Sequence, residues 1–204
     1  MKNTTYLVFA VLVFLGSVAF NNRTTNPEAP EERSGIEEAP DSEAPEYSEP
    51  FDVMMSVLTH QRCVNCHPSD DVPKQGEDRH AHRFDITRGN STGPTNCNTC
   101  HQAENNDFSG VPGAPDWSLA PHSMRWEGLS RIEIAESMMD PERNGGRTAE
   151  DIMHHLTEHE LVLWAWEPGI KADGTPRELP PVSKENYVAA VKAWIEEGAV
   201  IPAE

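Results

Sequence analysis

The sequence predicts a mainly α domain of short helices joined by long loops. Three observations carry that expectation. Apolar residues recur at helical spacing in four stretches, each bounded by capping residues or breakers. Pro and Gly punctuate the long segments between them, and no convincing strand pattern occurs. All four cysteines fall in two copies of one pattern, Cys63-Val64-Asn65-Cys66-His67 and Cys97-Asn98-Thr99-Cys100-His101.

The chain divides into three parts. Residues 1–19 read as a secretory signal: Lys2 precedes an apolar run from Tyr6 to Phe20, and Ser17-Val18-Ala19 is a small-x-small cleavage site. The run is shorter than the ~20 residues a spanning helix needs, so cleavage after Ala19 is expected rather than a retained anchor. No cysteine lies near the site to take a lipid. Residues 20–50 are rich in Pro and acid, with nine acidic residues against two arginines. Such a stretch buries too little apolar surface to offset its ordering entropy, and a disordered linker is expected. Residues 51–204 form the domain. Its 13 Lys and Arg against 25 Asp and Glu give a net charge of −12, which argues against nucleic acid and anionic lipid as partners.

The elements follow in order. Phe51, Met54, Met55 and Leu58 form one face of a helix running from Phe51 to Arg62, into the first cysteine motif. Pro68 to Asn96 and Asn105 to Pro121 read as loops. Ser130 and Glu133 make a capping box for a helix through Met139, stopped by Asp140-Pro141. Asn144-Gly145-Gly146 is a turn. Thr148 and Asp151 open a helix on which Ile152, His155, Leu156 and His159 share a face. A last helix runs from the N-cap Ser183 to Glu197, with Tyr187, Val191, Trp194 and Ile195 as its stripe.

Each cysteine motif is C-x-x-C-H, the c-type haem attachment sequence. Two thiols three positions apart reach the two vinyl groups of one haem, and the adjacent histidine presents its imidazole to the iron. Cys63 and Cys66 would hold one haem with His67 as proximal ligand; Cys97 and Cys100 would hold the other with His101. A four-cysteine zinc site leaves the histidine after both pairs unexplained. Structural disulfides within C-x-x-C would be strained, and a thioredoxin-like motif lacks its βαβ setting. The expected fold is therefore cytochrome c-like, its helices and loops wrapped around two covalently bound haems.

A second axial ligand for each iron decides much of the function. The histidine candidates are His60, His80, His82, His122, His154, His155 and His159; the methionines are Met54, Met55, Met124, Met138, Met139 and Met153. His80 and His82 alternate in a loop and point in opposite directions; His82 is the choice. His155 lies on the apolar stripe of its helix and is the second choice, whereas His154 turns away. Met124, after a Pro-rich loop, is the main rival, and the other methionines read as packing. The tryptophans read as haem-pocket walls and core.

Arg62–Pro68, Asn144-Gly145-Gly146-Arg147 and Leu161–Gly169 resemble a group of exported bacterial dihaem c-type cytochromes, some labelled isoquinoline 1-oxidoreductase subunit. The closing 193–199 stretch resembles the last helix of many cytochrome c domains. The resemblance spans roughly residues 51–202. It implies periplasmic electron transfer, with redox proteins as partners and with the haem-attachment machinery acting on the chain. A molybdenum hydroxylase beside it would oxidise the substrate. No membrane span is expected after cleavage. The alternative is a dihaem peroxidase with one open iron, in which His80 or His122 would act as distal acid–base group.

Overall fold

The computed structural model describes residues 49–89 and 96–203; the predicted signal and most of the acidic linker lie outside them. The described residues are partly helical, with loops and few strands, which agrees with a mainly α class. Among them no helix is long and apolar enough to cross a membrane.

Helix α1 spans Pro50–Leu58 and α2 spans Gln61–Val64. The sequence suggested one continuous helix here. It breaks at His60, whose backbone is extended (ψ 152°) and whose Nδ1 accepts from the Arg62 amide. The break lets α2 start afresh and carry the first cysteine. Helix α3, Arg131–Met139, begins with the expected box: Ser130 Oγ accepts from the Glu133 amide, and Glu133 returns the bond to the Ser130 amide. Asp140 both ends α3 and caps α4, Pro141–Asn144, where only a turn was expected. Helix α5, Ala149–Glu158, carries the second capping box. It stops one residue before His159, which stands at the N-terminal boundary of the short helix α6, Glu160–Leu163, without a side-chain capping bond. His159 therefore sits at a kink and not on the α5 stripe. Helix α7, Lys184–Glu196, starts at Ser183 as expected.

One correction concerns the stretch read wholly as loop. Lys74–Gln75 (β1) and His80–Ala81 (β2) pair antiparallel, with Lys74 opposite Ala81 and Gln75 opposite His80. Two-residue strands are too short to show alternation, so the sequence pattern carries no trace of them.

The core lies where α1 and α5 pack on α7. Met54, Met55, Leu58, Ile134, Met138, Tyr187 and Trp194 are among its fully buried side chains, and Phe51 tilts against Trp194 with ring centres 6.2 Å apart. Each such side chain contributes about 1.5–3 kcal/mol by leaving water. This core forms one wall behind the first cysteine motif: Val64 belongs to it and Cys63 packs on it.

Candidate cofactor sites at the two C-x-x-C-H motifs

The two motifs fold alike. In the first, α2 places Cys63, and the Cys66 and His67 amides both turn back to the Cys63 carbonyl, at 3.0 and 3.2 Å. In the second, Cys97–Thr99 is a 3-10 turn capped by Asn96, and the Cys100 and His101 amides turn back to the Cys97 carbonyl, at 3.2 and 2.9 Å. Each turn brings two thiols and an imidazole to one end of a short helical segment. All four thiols are free.

A downstream strand of chain closes over the first motif. The Ala120 amide donates to the Cys66 carbonyl, and the Trp126 and Glu127 amides donate to the His67 carbonyl. That pairing brings the Met124 carbonyl to 2.6 Å from His67 Nδ1. A carbonyl only accepts, so Nδ1 carries the proton and Nε2 keeps its lone pair. The imidazole lies flat on Trp126, with ring centres 3.6 Å apart and 9° between planes. Trp126 is itself pinned by its N–H to Ser137 Oγ at 3.1 Å.

These groups open on a cavity of about 320 Å³ lined by Cys63, Cys66, His67, Met124, His155 and His159, among others. Burial dominates its electrostatics. It pushes the Cys63 thiol up to about 12 and the Cys66 thiol up to about 11; the charge of Cys66 adds to the first shift and that of Cys97 to the second. The same burial lowers His67 to about 4, against the bond to Met124, and the positive charges of His155 and Arg88 lower it further. His155 falls to about 4, by burial first and then by its neighbour His159, whose ring centre is 5.0 Å away. Both imidazoles are thus neutral and able to act as ligands. His159 Nδ1 is buried with no partner. Arg62, next to Cys63, is buried as well. It donates to the Glu178 carbonyl at 2.7 Å and to Glu77 at 3.1 Å, and its guanidinium faces Trp164.

The second motif is more open. Cys100 is exposed, and Phe84 and Phe108 stand out in solvent. His101 Nδ1 donates to the Pro112 carbonyl at 2.7 Å, which again frees Nε2. The loop can return this closely because residue 113 is glycine: a Cβ there would meet the Glu104 and Gln102 carbonyl oxygens at 2.2 and 2.4 Å. The His101 ring lies flat on Trp117, 4.5 Å and 4° apart, and Trp117 stands edge-on to Trp164 at 4.9 Å. Burial lowers the His101 pKa against the Pro112 bond; the charges of His82 and Arg177 lower it further.

Of the candidate axial histidines, the structure brings three to the motifs. His82 lies beside His101, with ring centres 5.9 Å apart and planes at 61°. Its Nδ1 donates to the Arg83 carbonyl at 2.7 Å, so its Nε2 is also free. His155 and His159 line the first cavity with His67. The others face carboxylates: His80 Asp78, His122 Asp71, His154 Glu158 and His60 Glu178. Met124 is buried at the first site, but it is its main-chain carbonyl that serves His67, on the ring edge away from Nε2. Met54, Met55 and Met138 are core, as their spacing suggested.

Among the described residues no three His, Cys, Asp or Glu side chains gather as a metal site. A porphyrin brings four donors of its own, so a haem asks the protein for only two axial groups and two thiols. The donor set at each motif fits that demand. Sequence reasoning missed the Met124 and Pro112 carbonyls, the two stacked tryptophans and the place of His159. No side-chain pattern announces a backbone acceptor. No family model, curated protein or solved structure matches the chain.

Proposed function

We propose that this protein is an exported electron carrier with two c-type haems, working as a periplasmic cytochrome or as the cytochrome subunit of an oxidoreductase complex. One observation carries the reading. At both C-x-x-C-H motifs the histidine gives its Nδ1 proton to a backbone carbonyl, which leaves Nε2 neutral and basic for an iron. Disulfide or thiol chemistry at the cysteines would not require that arrangement twice; a zinc ligand would use it too, but zinc asks for three or four protein donors, and among the described residues no three such side chains gather.

In this reading Cys63 and Cys66 hold the first haem and Cys97 and Cys100 the second, with His67 and His101 as proximal ligands. His82, whose ring lies beside that of His101, would be the second protein ligand there. His155 is the corresponding group for the first, across a cavity it shares with His67. Bound haem supplies a one-electron ferric–ferrous couple. The chain's own residues would do the rest: apolar walls exclude water, the carbonyls hold the Nδ1 protons in place, and a second imidazole at each site would favour electron transfer over substrate binding. The peroxidase alternative is less favoured, because His80 and His122, its acid–base candidates, are engaged with surface aspartates.

The test is a pyridine haemochrome assay with EPR spectra of the oxidised, exported protein. The expected result is two covalent haems per chain, both low-spin. A chain matured with a haem-attachment system yet carrying no covalent haem would overturn the reading; a high-spin ferric signal that binds cyanide would replace the carrier with the peroxidase.

A further inference from the structure

Both motif histidines rest face-on against a tryptophan, and the two tryptophans lie nine residues apart in the stretch that follows the second motif. His67 lies 3.6 Å from Trp126 at 9°, and His101 lies 4.5 Å from Trp117 at 4°. Each tryptophan follows closely on the residue whose carbonyl takes the Nδ1 proton: Met124 then Trp126, Pro112 then Trp117. The carbonyl bond fixes one edge of the imidazole, but the ring can still rock about it. A parallel indole face blocks that rocking, because a turned ring would lose the stacked contact. Each indole is held in turn. Trp126 donates to Ser137 Oγ at 3.1 Å. Trp117 is buttressed edge-on by Trp164, whose N–H donates to Asn105 Oδ1 at 2.9 Å. The same Asn105 oxygen accepts from the Gly113 amide at 3.0 Å, so one side chain ties the Pro112 turn to the Trp164 buttress. By contrast, Trp166 and Trp194 pack on Tyr187 and Phe51 and touch neither motif histidine.

We propose that Trp126 and Trp117 are positioning residues, each setting the plane of one motif imidazole. This rests on the reading that these imidazoles ligate haem iron. The plane of an axial imidazole decides which iron d orbital its π system overlaps, and so sets the anisotropy of a low-spin ferric signal. Neither tryptophan touches the iron; each acts through its histidine. The Leu161–Gly169 stretch thereby gains a role at the second site, since it delivers the Trp164 buttress.

The experiment is EPR of the oxidised dihaem protein, beside haem content, for Trp117→Leu, Trp117→Phe, Trp126→Leu and Trp126→Phe. Trp117→Leu should keep two haems and shift or broaden the largest g value of one low-spin signal, leaving the other untouched. Trp117→Phe should restore the wild-type value, because a phenyl face still stacks. The Trp126 variants should act on the other signal; if Trp126→Leu does not fold, Trp126→Phe against wild type and the Trp117 pair still decide. Two haems with both signals unchanged in Trp117→Leu would overturn the proposal. So would a Phe variant that shifts as far as Leu. A wild-type protein without covalent haem would instead defeat the functional reading, a separate result.

Discussion

The two motif sites share a backbone turn, a carbonyl partner and a stacked tryptophan, yet they sit in opposite surroundings. The first lies against the α1–α7 core, over a cavity of 320 Å³, with both thiols pushed up and His67 held near 4 by burial. The second is built from loops, with Cys100 exposed and unusual backbone nearby: Phe84 and Asp85, just past His82, have φ of +67° and +51°. Left-handed non-glycine residues cost of order 1–3 kcal/mol each and persist only where their surroundings impose them. Equal chemistry in unequal dielectric gives unequal function. On the proposed reading, a buried haem would resist the extra positive charge of its ferric state, so the first site would have the higher potential and the second would meet partners at the surface.

The largest test of this contrast removes the thiols one pair at a time. Cys63→Ala with Cys66→Ala should leave one haem and lower stability by several kcal/mol, because the first cavity would lose its filling against the core. Cys97→Ala with Cys100→Ala should also leave one haem, at a much smaller fall in melting temperature. Equal falls, read by thermal unfolding, would erase the distinction between core and loop site. Next in size is ligand removal. His82→Ala should turn only the second haem high-spin and His155→Ala only the first. Met124→Ala should leave both low-spin, since its carbonyl and not its sulfur serves His67. A low-spin spectrum retained in His155→Ala would move the first distal position to its neighbour His159.

What was legible in the sequence was local. The motifs, the capping box at Ser130, the helix start at Thr148 and the N-cap Ser183 are written within a few residues each, and the three helix starts appear in the structure. His155 and Leu156 lie on one helix as spacing implied, but His159 does not, because α5 ends at Glu158. The break at His60 and the β1–β2 pair were hidden, the one by a continuous apolar face and the other by sheer brevity. The cradles of His67 and His101 depend on contacts across 57 and 11 residues to backbone oxygens. A carbonyl is the same atom in every residue type, so no composition marks it.

A subtler change should separate the sites without touching any thiol or ligand. Gly113→Ala would drive a methyl into the Glu104 and Gln102 carbonyls, so the turn must open and the Pro112 carbonyl must leave His101. The expected cost is about 2 kcal/mol of stability, with a changed second-site EPR signal and an unchanged first. A change in the first-site signal would mean that the two cradles are mechanically linked.

The smallest effect expected is a pH dependence confined to the first site. His60 caps α2 by accepting the Arg62 amide on Nδ1, and its Nε2 faces Glu178 at 3.4 Å. Burial lowers its pKa below 6.5, the neighbouring Arg62 charge lowers it further, and Glu178 opposes both. The unfolded chain therefore binds the His60 proton at a pH where the folded chain does not. Stability from this group is complete above 6.5 and is lost as the pH falls below it. A protonated Nδ1 also cannot accept, so the cap that launches the first motif fails in the same range. Asn at position 60 keeps a capping oxygen and does not titrate. Denaturant unfolding of His60→Asn should show a shallower fall between pH 6.5 and 5 than the parent chain. Parallel curves would show that the cap of α2 does not sense protons.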